Sequence, residues 1–132
     1  MTSKITMYKL NSGGADASGN ASVISEKIAR GKLLAVHLIY DSSSASATDV
    51  TLSMLGSDYG GADATLLSIS NNNTSGWYYP RTYAEDYQGN DLTFDGTNKI
   101  PCEAIVFGRL KLSVAQQTAT KAVKAYVFVE EY

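Results

Sequence analysis

The sequence predicts an all-β protein: an antiparallel β-sandwich or jelly-roll-like single domain with an extended N-terminal arm. Three observations carry that expectation. Apolar residues recur at every second position instead of at helical spacing. Segments rich in Gly, Asn, Asp and Ser return roughly every ten to fifteen residues, the rhythm of a sandwich. The length, 132 residues, suits one domain that buries roughly two-thirds of its unfolded surface.

Taken in order, "KITMYKL" reads as strand-like, with Ile5 and Met7 on one parity and Tyr8 and Leu10 on the other. "NSGGADASGNAS", residues 11–22, holds nothing larger than Asn or Asp and offers little area to bury. Residues 1–22 are therefore expected to be an arm and flexible loop, and residues 23–132 the sandwich. Extended, the loop spans up to about 40 Å, enough to add the first strand to a sheet edge on a neighbouring subunit. "SVISEKIARG" fits either a helix with Gly31 past its end or an edge strand.

"KLLAVHLIYD" reads as a central strand covered on both sides, with Leu34, Val36, Leu38 and Tyr40 opposite Leu33, Ala35, His37 and Ile39. "TDVTLSML" and "TLLSIS" are half-buried strands that send Val50, Leu52, Met54, Leu67 and Ile69 inward. "GRLKLSV" alternates most cleanly, with Leu110, Leu112 and Val114 against Arg109, Lys111 and Ser113. "AVKAYVFVEEY" sets Val123, Ala125, Val127 and Val129 against Lys124, Tyr126 and Phe128.

Composition narrows the function. Eleven basic and thirteen acidic residues give a formal charge of −2, without the Lys/Arg clustering that phosphate binding demands, so nucleic acid is not an expected partner. No window reaches the roughly 18 apolar residues of a membrane span, and "MTSKITMYKLNSGG" has no signal-peptide core, so no membrane role is expected. The sequons at Asn20, Asn72 and Asn73 then read as turn chemistry. A single cysteine, Cys102, cannot make an intrachain disulfide.

Reactive constellations are scarce. His37, the only histidine, sits within an apolar run, as a packed core residue would, and Cys102 follows Pro101 with no histidine nearby. Together they fall short of a zinc site. "GSDYGGAD" and "SGG" match neither phosphate-binding glycine motif. Glu85, Asp86, Asp91 and Asp95 crowd one loop, where either solvated turn acids or a calcium ion fits. The expectation is a protein that is not an enzyme and takes no cofactor.

The stretch "TSGWYYPRTYAEDYQG" concentrates aromatics. Trp77, Tyr79, Arg81 and Tyr83 share a parity opposite Tyr78, Pro80 and Thr82, and Pro80 marks an edge or a bend. A structural corner, a protein–protein contact and a sugar platform all suit Trp and Tyr, which combine apolar area with a polar tip. The interface candidates are Trp77, Tyr78, Tyr79, Arg81, Tyr83 and Tyr87, joined by Ile5, Met7 and Tyr8 of the arm.

The series "GKLLAVHLIYD", "TDVTLSMLG", "TLLSISNNNTSGWYYPR", "DYQGNDLTFDGTNKIPCEAIVFGRLKLSV" and "AYVFVEEY" resembles small virion proteins encoded near the major capsid gene of tailed bacteriophages. "GWYYPR", an Asp-x-x-Gly stretch, a "DG" turn and the "GRLKLSV" strand carry the likeness, which covers about residues 31–132. It implies a head decoration, or cement, protein that binds the major capsid protein on the capsid outer surface after synthesis in the host cytoplasm. It also implies a homo-oligomer, with a trimer favoured, and no catalytic residue. The small-residue N-terminal arm departs from that pattern. The alternative is a lectin-like module built on Trp77 and its neighbouring tyrosines.

Overall fold

The computed structural model describes residues 3–57 and 60–131. They form an all-β domain with no helix among them. The strands are β1 (Lys4–Asn11), β2 (Ala21–Tyr40), β3 (Asp49–Met54), β4 (Ala64–Ile69), β5 (Gly76–Tyr78), β6 (Arg81–Tyr83), β7 (Pro101–Glu103), β8 (Ile105–Ala115) and β9 (Val123–Glu131). One antiparallel sheet runs β1-β9-β2-β8-β3-β4, with β5 also paired to β2, while β6 and β7 form a separate two-stranded sheet.

β2 organises the sheet. Its first half pairs with β8, from Ala21↔Val114 to Lys32↔Ile105, and its second half pairs with β9, from Lys32↔Glu130 to Tyr40↔Val123. The hand-over falls at Gly31, whose φ is +138°. An added Cβ there would lie 1.9 Å from the carbonyl oxygen of Glu130, so only glycine lets β9 approach this closely. The segment 23–30, open to helix or strand from sequence, is strand.

The core lies on one face of this sheet. Leu33, Val36, Leu38, Val50, Leu52, Leu110, Leu112, Val123, Val127 and Val129 are fully buried. With no helix available to cover them, the β1-β9-β2 portion must face the β8-β3-β4 portion across a shared interior, which gives a sandwich-like cross-section. The alternation expected for β8 and β9 holds throughout.

Two irregularities in β2 change which side chains enter that interior. A register shift between Leu33 and Ala35 makes Leu34 an extra residue, so Leu33 joins Val36, Leu38 and Tyr40 in the core. The sequence reading set Leu34 beside Val36 and Leu33 on the opposite face, with both faces covered. A second shift, between Ile24 and Ile28, is patched by Ser25. Its Oγ accepts from the Leu110 amide at 2.9 Å and donates to the Lys27 carbonyl at 2.8 Å.

Residues 4–11, expected to reach a neighbouring subunit, pair along their whole length with β9 of the same chain, from Lys4↔Glu131 to Asn11↔Lys124. Leu10 is 2 % exposed and belongs to the core. β1 is thus an integral edge strand, and the expected boundary at 22/23 falls inside β2. Polar atoms hold the connecting loop in place of apolar area. Ser12 exchanges main-chain and side-chain bonds with Val123, Ala15 bonds to Lys121 and Thr120, and the Asp16 carboxylate accepts from the amides of Ser18 and Asn20.

Candidate interaction site

β5 places Trp77 opposite His37, which lies opposite Tyr126, which lies opposite Lys9. Four adjacent strands therefore contribute one residue each to a single row across the outer face of the sheet. The Trp77 and His37 rings stack with centroids 4.3 Å apart and planes within 4°. Tyr126 tilts toward His37 at 6.3 Å, and the Lys9 ammonium sits 5.8 Å from the Tyr126 ring centre. Phe128, one pleat along β9, meets Trp77 at 5.6 Å. His37 is accordingly a half-exposed surface residue and not the core residue the sequence suggested, because it lies opposite the buried Val36 and Leu38 on a face that is not buried.

Ile5 and Met7 extend this face, since Met7 pairs with Phe128 and Ile5 with Glu130, and both are exposed. Tyr8 does not share it. Its side chain packs against the core, and its hydroxyl donates to the Glu131 carboxylate. Burial, then the bond and charge of Glu131, push the Tyr8 pKa up to about 12. Tyr78 also turns inward; its Oη accepts from Asn72 Nδ2 at 3.2 Å, and the same amide reaches Tyr40 Oη at 3.4 Å.

Beyond Tyr78 the segment leaves the main sheet. Pro80 is buried and ends the β5 ladder, and Arg81 Nη1 folds back to donate to the Pro80 carbonyl at 2.8 Å. Trp77 and Tyr83 therefore belong to different sheets, and their common parity does not put them on one surface. Tyr79 and Tyr83 are each more than half exposed.

Residues 81–103 form a projecting excursion. The β6–β7 pairing Arg81↔Glu103 to Tyr83↔Pro101 continues as single bridges, Glu85↔Asp91 and Thr93↔Lys99. Two turns shape it. The Asp86 carboxylate accepts from the amides of Gln88 and Asn90, and the Asp95 carboxylate from those of Thr97 and Asn98. These amide bonds hold both carboxyls below the usual aspartate range. Asp91 pairs with Lys99 at 2.9 Å, and Lys99 also lies 5.0 Å from the Tyr83 ring centre. Of the acids considered for calcium, Asp86 and Asp95 thus build turns, Asp91 makes an ion pair, and Glu85 is exposed. Among the described residues no group of three His, Cys, Asp or Glu side chains is placed to hold a metal.

Sequence reasoning missed a repeat that explains this construction. "DASGN" at residues 16–20 and "DYQGN" at 86–90 share Asp-x-x-Gly-Asn. Both make the same four bonds: aspartate amide to asparagine carbonyl, glycine amide to aspartate carbonyl, and two amides to the aspartate Oδ1. Gly19 and Gly89 take φ of +83° and +85°, as this turn requires.

The excursion exposes its apolar side chains. Tyr87 is 94 % and Phe94 71 % accessible, and Leu92 and Ile100 are also exposed. A further apolar group, Ile24, Ile28, Ile105 and Phe107, lies outward on β2 and β8. Cys102 is half-buried in β7 opposite Thr82, in a different sheet from His37. No known protein family, curated protein or solved structure matches the chain.

Proposed function

We propose that this is a non-enzymatic structural protein that docks on a larger assembly, specifically a decoration protein that stabilises the shell of a tailed-bacteriophage head. The observation that carries the reading is the excursion 81–103: it is ordered by turns and the Asp91–Lys99 ion pair and presents Tyr83, Tyr87, Leu92 and Phe94 to solvent. Apolar side chains held outward on a fixed hairpin suit a partner surface, since burying them on docking recovers roughly 25 cal/mol per Å². The resemblance of residues 31–132 supplies the identity of the assembly. A symmetric oligomer, a trimer at threefold positions, would multiply each contact, and binding only to the assembled lattice would stabilise it by mass action.

The test is retention on purified particles. Wild-type protein is expected in the virion and to rebind heads stripped of it, with a variant carrying Tyr87→Ser and Phe94→Ser rebinding at least roughly tenfold more weakly. Absence from the virion, or presence in tails alone, overturns the reading. The 52 % exposure of Trp77 favours a second reading, a sugar platform, although His37 occupies one face of its ring. A glycan array without binding would remove it.

A further inference from the structure

The outward residues of β2 and β8 follow a pattern that the linear sequence conceals. The cross-strand pairs are Ile24↔Lys111, Ile28↔Arg109, Arg30↔Phe107 and Lys32↔Ile105. Each joins one cationic to one apolar side chain, so the face is a checkerboard in which Ile24, Ile28, Ile105 and Phe107 are all exposed. Asp63 pairs with Lys111 at 3.7 Å and Glu103 with Lys32 at 3.9 Å, both toward the rim. Arg30 at the centre has no ion-pair partner among the described residues. In these four pairs four cations meet two carboxylates, Asp63 and Glu103.

The excursion carries the complementary pattern. Over residues 81–103 it holds Glu85, Asp86, Asp91, Asp95 and Glu103 against Arg81 and Lys99, of which Lys99 pairs with Asp91, interleaved with Tyr83, Tyr87, Leu92 and Phe94. Within one protomer the two surfaces do not cover each other, because Ile105 and Phe107 on one and Tyr87 and Phe94 on the other all stay more than half exposed.

We infer that the occupant of the β2–β8 face is a second copy of this chain: the acidic, aromatic excursion of one protomer docks on the cationic, apolar face of the next. Opposite charge orients the encounter, and the interleaved apolar groups supply the buried area. The contact is head-to-tail, since the two surfaces differ, and a head-to-tail contact closes into a ring or propagates as a filament. It draws on the same excursion side chains as the virion reading, so one excursion serves one of the two partners at a time, and its test needs only the isolated protein.

The experiment is sedimentation equilibrium of the purified chain over a wide dilution series, with two variants. The face variant carries Arg30→Glu and Phe107→Ser; the hairpin variant carries Glu85→Lys and Tyr87→Ser. All four positions are on the surface, and circular dichroism with melting checks each fold; Arg30→Glu alone serves if the double variant is unstable. Wild type is expected to self-associate, more weakly by about tenfold or more as salt screens the charges. Each variant alone is expected to be a monomer, while an equimolar mixture forms a one-to-one heterodimer that grows no further, each partner retaining one competent surface. A monomeric wild type, a folded variant that associates like wild type, or a mixture without complex overturns the inference. Failure on particles with self-association intact would remove the decoration reading and leave this one standing.

Discussion

Substituting Gly31 by alanine tests the claim that β2 can serve two partner strands only because this residue lacks a side chain. The new Cβ would sit 1.9 Å from the Glu130 carbonyl oxygen and 2.9 Å from its carbon, where real contacts do not fall below 3.0 Å. Relief requires β2 and β9 to separate by about 1 Å around Lys32↔Glu130, which weakens one or two ladder bonds at about 1 kcal/mol each. Holding alanine at a φ of +138° adds about 1–3 kcal/mol. The expected loss is about 2–5 kcal/mol, a large share of the 5–15 kcal/mol typical of a domain, and a fall in Tm of roughly 6–20 °C. Urea and thermal unfolding followed by circular dichroism measure it. Two other glycines calibrate the result: Gly13→Ala, with φ +73° and open space, should cost about 1 kcal/mol, and Gly76→Ala, with space and no such φ, close to nothing. If Gly31→Ala costs no more than Gly13→Ala, the close approach of β9 is not what fixes the bend.

Two further outcomes follow from buried polar groups. Because the folded state raises the Tyr8 pKa from 10.0 to about 12, the neutral phenol's contribution is complete below pH 10 and is lost as pH climbs toward 12. Unfolding measured between pH 9 and 12 should show wild type losing more stability than Tyr8→Phe, and parallel curves would refute the assignment. Gln117 accepts from Thr48 Oγ1 and the amides of Ala45 and Thr118, and donates to Ser44 Oγ at 3.0 Å, so Gln117→Leu strands several buried groups. A loss of about 2–4 kcal/mol is expected with faster amide exchange at Ala45, and a loss under about 1 kcal/mol would contradict it.

The strands that alternate without interruption, β8 and β9, were legible because a period of two needs only composition to be read, whereas β3 keeps the period only to Leu52: Ser53 is buried, and Met54, expected inward, is only half-buried. β2 was legible as strand only in part. Its two register shifts break the period, so Leu33 and Leu34 exchanged sides, and His37 was assigned to the core because apolar residues on both parities read as two covered faces. Parity also misled at Pro80, where the chain changes sheets between Trp77 and Tyr83. β1 was readable as a strand but not as a partner of β9, since pairing over such a separation leaves no local trace. The loop after it was taken for a tether because area was the only criterion applied, whereas Asp16 and Ser12 anchor it through hydrogen bonds. Of the candidate surface, Trp77, Ile5 and Met7 do share one face. The β2–β8 checkerboard could not be seen, because its basic residues are scattered singly along the chain and converge only through pairing.

The placement of β2 also sets the order in which the protein can be made. The strand emerges early from the ribosome, but its partners along most of its length are β8 and β9, with contacts such as Leu110 to Ser25 joining residues 85 positions apart. Until that later stretch is synthesised, β2 has only the three-residue β5 to pair with, and its rows of Leu and Val stay uncovered. Ordering of β2 therefore waits on the synthesis of β8 and β9, and the nascent chain passes through an interval in which a long, apolar, unpaired strand is open to chaperones or to other copies of itself.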